Sequence, residues 1–174
     1  MIGVIYTNKY KLSRREFLRP ILYILKENKI KYKIFSYKKI ANNVDKIIIT
    51  GTAIMDFDYL NYIDNFKFII EKDIKTLAIC SGSQIITKLL GYKLINKEII
   101  GKYNINLVNE NIFTDKDFEA YFLITKVPQI DKKFNIYGKL NNIPVFYNYK
   151  NIYFTLFHPE VLNKYIILKF LYNI

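Results

Sequence analysis

From residue 45 to 50 the chain reads Asp-Lys-Ile-Ile-Ile-Thr, and the run stops at Gly51. A strand with one wet face alternates apolar and polar residues. An unbroken β-branched run is instead a strand buried on both faces. Such a strand restricts the fold, because both sides of its sheet must be covered. Thr76-Leu77-Ala78-Ile79 is a second run of this kind, and Ile2-Gly3-Val4-Ile5-Tyr6 a third. Residues 30–35 alternate apolar with Lys and Tyr, as a strand does. Helical spacing fills the gaps. Ser13-x-x-Glu16 has the form of a capping box ahead of a helix over 14–28. Apolar positions through Phe57, Leu60, Ile63, Phe66 and Ile69 predict a helix over 57–72, and Gly82 to Leu90 predicts another.

The first ninety residues therefore read βαβ-βα-βα. That order implies an α/β fold with a mostly parallel sheet and helices on both faces. From Tyr92 to Leu156 only short strand-like pieces recur, at 122–125, 134–137, 145–147 and 152–157, which predict an antiparallel extension. A helix over 161–171 ends the chain. With 174 residues and no repeat or Gly/Ser linker, residues 1–174 are expected to form one domain.

Half of the chain is apolar, so a full core needs no disulfide or metal. No apolar run reaches the ~18–20 residues of a membrane span. The apolar start precedes the first charges, the reverse of a secretory signal. These features read as a soluble, cytoplasmic protein. The net charge of +12 is uneven: residues 1–40 hold 11 Lys/Arg against two Glu, and Arg14, Arg15 and Arg19 are the only arginines. A basic face of this kind suits an acidic protein, a phosphorylated substrate or a nucleic acid, or is simply a solvated helix face. No aromatic-basic motif of a nucleic-acid-binding module accompanies it, so nucleic acid is the weakest of these.

The chain has one cysteine, Cys80, and one histidine, His158. A lone Cys excludes an internal disulfide and a Cys-cluster zinc site, leaving an inert buried thiol or a nucleophile. Cys80 stands between strand 76–79 and the helix that follows, with small residues, Ala78 and Gly82, two before and two after. That spacing is a nucleophile elbow, which projects the side chain from the carboxyl edge of the sheet. A helix N-terminus also favours thiolate, the reactive form. His158 lies in Phe-His-Pro-Glu after a strand-like segment, and Glu160 is placed to reach the far imidazole nitrogen. A Cys nucleophile needs such a base, and the base needs a third group to orient it.

Cys80-x-Gly82-x-Gln84 followed by Phe157-His158-Pro159-Glu160 resembles the triad-type, class I glutamine amidotransferases. The likeness extends to KIIITGT before the cysteine and IITKLLGYKL after Gln84, covering residues 44–95 and 143–165 well. It implies a flavodoxin-like sheet with an antiparallel extension. It also implies a Cys80-His158-Glu160 triad that hydrolyses the side-chain amide of glutamine. Oxyanion contacts would come from Ser81 and from Gly51 or Thr52, and Gln84 would touch the bound glutamine. No cofactor or metal is implied. The partner would be a separate synthase that receives the ammonia, the small subunit of a two-chain GMP synthetase being one home.

Two departures from the family pattern are visible. The oxyanion loop, Thr50-Gly51-Thr52-Ala53, has one glycine where two and a proline are usual, so Thr52 would be strained if its position demands positive φ. The region 121–128 lacks the Ser-His-x-Asp stretch that helps hold glutamine. These departures leave two other readings open: a γ-glutamyl hydrolase using the same chemistry, and a catalytically idle binding or regulatory protein.

Overall fold

A computed structural model describes residues 1–41 and 43–174. Five strands form the parallel half of the sheet: β1 (Ile2–Tyr6), β2 (Tyr32–Ser36), β3 (Lys46–Ile49), β4 (Lys75–Ile79) and β9 (Ile152–Thr155). Four more extend it antiparallel: β5 (Leu94–Leu107), β6 (Phe118–Pro128), β7 (Asn135–Leu140) and β8 (Ile143–Tyr149). The strand order is β2-β1-β3-β4-β9-β8-β7-β5-β6. β9 joins the two halves, lying parallel to β4 and antiparallel to β8. The isoleucines of β3 are fully buried, as their unbroken run requires. This is the mixed α/β fold expected, with a mostly parallel core and an antiparallel extension.

Three helical segments depart from the sequence reading: 14–28, 57–72 and 161–171, the last being two helices, Pro159–Leu162 and Lys164–Asn173. The helix over 14–28 is two helices, α1 (Ser13–Phe17) and α2 (Arg19–Glu27). Pro20 stands in the first turn of α2 and has no N–H to continue a ladder from α1. The capping box does not form. Leu12 is the cap residue, without a side-chain bond, and Arg14 and Arg15 donate instead to the carbonyls of Lys11 and Leu12 in a tight turn. The helix over 57–72 is a 3₁₀ segment, Asp58–Phe66, interrupted at Tyr62, followed by the short α3 (Lys67–Glu71).

The remaining helices are α4 (Ser81–Leu89), α5 (Pro159–Leu162) and α6 (Lys164–Asn173). α4 packs beside the 3₁₀ segment, and α5 beside α2 and α6. β5 was the element least visible in sequence. Only Ile99 and Ile105 of its fourteen residues are buried, and a bulge between Asn96 and Ile99 breaks its period. No helix among the described residues is long and apolar enough to cross a membrane.

Candidate active site

Cys80 follows β4 and caps α4 with φ 48° and ψ −102°, a left-handed conformation that a non-glycine residue adopts only under restraint. The restraint is visible. The Cys80 N–H donates to the carbonyl of Thr155 on β9 at 2.8 Å. Gly82 allows the elbow to close, since a Cβ placed on it would lie 2.8 Å from Cβ of Ile49. Strand β3 and helix α4 touch here with no room for a side chain.

His158 is the residue before α5, where the chain has just left β9. Its N–H donates to Tyr121 O on β6 at 2.8 Å, and Phe17 of α1 packs against its ring at 5.4 Å between centroids. Nδ1 lies 2.8 Å from Oε1 of Glu160, with both side chains 1% exposed. Nε2 is buried and has no hydrogen-bond partner by distance and angle among the described residues. Burial pulls the imidazole pKa down, but Glu160 and Cys80 outweigh it and hold the ring well above 6.5.

Gly51 joins the two residues. A Cβ built on it would meet Cε1 of His158 at 2.4 Å, Nδ1 at 3.1 Å and Cβ of Cys80 at 3.3 Å. The bare α-carbon of Gly51 is thus wedged between the cysteine and the imidazole. Neither Gly51 nor Thr52 is among the residues with positive φ, which corrects the expectation that Thr52 carries backbone strain. The loop is held by side chains instead. Thr52 Oγ1 accepts from Nδ2 of Asn8 at 2.9 Å and donates to Asp56 Oδ2 at 3.0 Å. The N–H groups of Thr52 and Ser81 have no protein acceptor among the described residues. Ser81 opens α4, where the first amides have no intrahelical partner.

The family model for glutamine amidotransferase class-I matches residues 14–165. The chain belongs to this family. Over 134 residues it is 33% identical to the GMP synthase (glutamine-hydrolyzing) of Petrotoga mobilis, a match that spans 69% of this chain and 25% of that one. The fold is shared with a Thermoplasma acidophilum protein provisionally named as one subunit of GMP synthase. There the TM-score is 0.80 at 19% identity, over 98% of this chain and 92% of the other. A glutamine amidotransferase of Thermotoga maritima aligns with TM-score 0.73 at 18% identity, over 91% and 76%.

In this class-I chain, β6 lies over the mouth of the site and meets it with backbone atoms. The Cys80 thiol donates to Leu123 O at 3.5 Å. Gln84, expected to face the substrate, is 2% exposed and bridges two elements. Its Oε1 accepts from the hydroxyl of Tyr59 in the 3₁₀ segment, and its Nε2 donates to Lys126 O at 2.7 Å. Burial, with the charges of Cys80 and Asp56, pushes the Tyr59 phenol well above its usual 10. The cavity beside Cys80, lined by Thr52, Ser81, Tyr59, Gln84 and Leu123, measures about 10 Å³, the space of one water molecule.

The basic stretch adjoins this site. Phe17 points inward to His158, whereas Arg15 and Arg19 are exposed, and Arg14 lies over the ring of Tyr6 at 4.2 Å. Sequence reasoning did not find Thr7, Asn8, Asp56 or Tyr59. The one available signal was weak: Thr7 and Asn8 are polar residues at the carboxyl end of a strand, where α/β sites form.

Proposed function

We propose that this chain hydrolyses the side-chain amide of glutamine through Cys80, His158 and Glu160, and delivers ammonia to a separate synthase. The observation that carries the proposal is the convergence on Gly51 of the only cysteine and the only histidine, with Glu160 on the far nitrogen of the ring. Nε2 of His158 takes the thiol proton, and the thiolate attacks the amide carbon. The developing oxyanion is met by the N–H groups of Ser81 and of the Gly51–Thr52 loop. Collapse of the tetrahedral species breaks the C–N bond, and the imidazolium gives its proton to the leaving ammonia. Water, deprotonated by the same imidazole, then cleaves the thioester to release glutamate. Glu160 keeps the tautomer correct and stabilises the imidazolium. Gln84 contacts the substrate from the pocket wall once its bonds to Tyr59 and to Lys126 O have opened.

The resting site is shut. The space beside Cys80 admits about one water molecule, and the thiol is bonded to Leu123 O. Turnover therefore requires β6 and the 3₁₀ segment to part. Docking of the synthase drives this opening, with the basic stretch of α1 and the start of α2, at Arg14, Arg15 and Arg19, as part of the contact. The Petrotoga mobilis relative, named glutamine-hydrolyzing, supports the same chemistry. The deciding experiment is ammonia release from glutamine by the pure chain, titrated with the synthase of the same organism. Slow release that the synthase accelerates is expected. A diazo-ketone glutamine analogue should label Cys80, and Cys80→Ala should abolish labelling and turnover. Brisk hydrolysis indifferent to any partner would favour an independent hydrolase. An unreactive Cys80 without turnover would favour an idle binding protein.

A further inference from the structure

Thr7 and Asn8, just past the end of β1, are both fully buried polar residues. Burying an amide and a hydroxyl is costly unless they are hydrogen-bonded, and their bonds converge on one peptide unit. Gly51 O lies 3.2 Å from Thr7 Oγ1 and 3.4 Å from Asn8 Nδ2, and the neighbouring Thr50 hydroxyl reaches it at 3.0 Å. The other hydrogen of the same Asn8 amide goes to Thr52 Oγ1 at 2.9 Å. The peptide between Gly51 and Thr52 is thus gripped from one side, at its carbonyl and at the next side chain.

A trans peptide carries its C=O and N–H on opposite sides of the chain. With Gly51 O turned toward Thr7 and Asn8, the Thr52 N–H is turned the other way. It has no protein acceptor among the described residues, and Thr52 lines the cavity with Cys80. Thr7 also reaches the side chain of Ser81, whose N–H is the second donor. Its Oγ1 is 2.8 Å from Ser81 Oγ, which itself donates to Thr50 O at 3.0 Å. Thr7 Oγ1 also lies 3.1 Å from Thr50 O, so its hydroxyl ties the carbonyls of Thr50 and Gly51 and the Ser81 hydroxyl into one cluster, whichever of them accepts its single proton.

We propose that Thr7 and Asn8 are positioning residues that lock the Gly51–Thr52 peptide with its N–H facing the thiol, and so build the oxyanion site that a second glycine and a proline do not provide here. The inference rests on the proposed glutaminase chemistry and names the residues that set its geometry. They act through the loop and touch no substrate.

The test uses the full chain with Thr7→Val, which keeps the shape and deletes the hydroxyl, its conservative partner Thr7→Ser, and Asn8→Ala. Three readouts are taken. They are kcat and KM for glutamine, the affinity for glutamate γ-semialdehyde, which forms a tetrahedral thiohemiacetal with Cys80, and the rate of Cys80 alkylation by iodoacetamide, which uses no oxyanion donor. Thr7→Val and Asn8→Ala should lower kcat on the order of 10²-fold, the cost of losing one oxyanion donor, and weaken the aldehyde in parallel. KM and the alkylation rate should stay within about twofold, as expected for an interaction made only in the transition state. Thr7→Ser should restore most of kcat. Folded variants with unchanged kcat and aldehyde affinity would overturn the inference and leave the glutaminase reading standing. So would losses confined to KM and alkylation, which indicate a collapsed pocket. A wild type that neither hydrolyses glutamine nor binds the aldehyde, with or without its synthase, would overturn the glutaminase reading itself.

Discussion

Replacing Gly51 with alanine adds a single methyl group at the most crowded point of the site. The new Cβ would lie 2.4 Å from Cε1 of His158, whereas carbon atoms rest at about 3.5–4.0 Å. One partner must therefore move by about 1 Å. The imidazole is pinned by Glu160 at 2.8 Å, by the ring of Phe17 and by its own N–H bond to Tyr121 O. The loop is pinned by Thr7 and Asn8. Either movement spoils catalysis, since a displacement of about 1 Å in a reacting group costs on the order of 10²-fold in rate. Overpacking should also cost about 1–3 kcal/mol of stability, a fall in Tm of about 2–4 °C per kcal/mol at this chain length. Gly3→Ala is the control. Its Cβ would meet the terminal methyls of Val44 at 3.1 and 3.3 Å, which can yield, and no site residue is near. Glutamine turnover and thermal unfolding of both variants separate the two effects. Gly51→Ala should lose kcat far beyond its stability loss, while Gly3→Ala keeps full kcat. A Gly51→Ala chain with native Tm and wild-type turnover would refute the placement of His158 against Gly51.

Three further outcomes follow from the same geometry. His158→Ala should cost on the order of 10⁶-fold in kcat and Glu160→Gln on the order of 10⁴-fold, because a base is harder to replace than its orienter; steady-state kinetics showing equal losses would place the base elsewhere. The folded pKa of His158 lies above its unfolded value, so its protonation adds stability that is whole below about 6.5 and fades as pH rises through the folded pKa. Urea unfolding of wild type and His158→Gln across that window should converge toward high pH, and parallel curves would contradict the raised pKa. Tyr59→Phe cuts the bridge from the 3₁₀ segment to Gln84; it should speed alkylation of Cys80 by iodoacetamide in the pure chain, and an unchanged rate would mean that this bridge does not keep the site shut.

The elbow, the His-x-Glu pair and the parallel half of the sheet were legible in sequence for a common reason. Each is encoded over a few adjacent residues. Ile47, Ile48 and Ile49 declare burial on both faces by their unbroken run, and Ala78, Cys80 and Gly82 declare a tight turn by their small sizes. Glu160 reaches His158 from two residues away. What the tertiary structure decided depends on atoms that leave no local trace. The β6 backbone closes the site through carbonyls of Tyr121, Leu123 and Lys126, and a carbonyl is the same in every residue. β5 runs for fourteen residues with only two of them buried, so its pairing, and no hydrophobic period, makes it a strand. Thr7 and Asn8 meet Gly51 across more than forty residues of chain. Their importance comes from which way one peptide faces, and that direction exists only once β1, β3 and α4 have packed together.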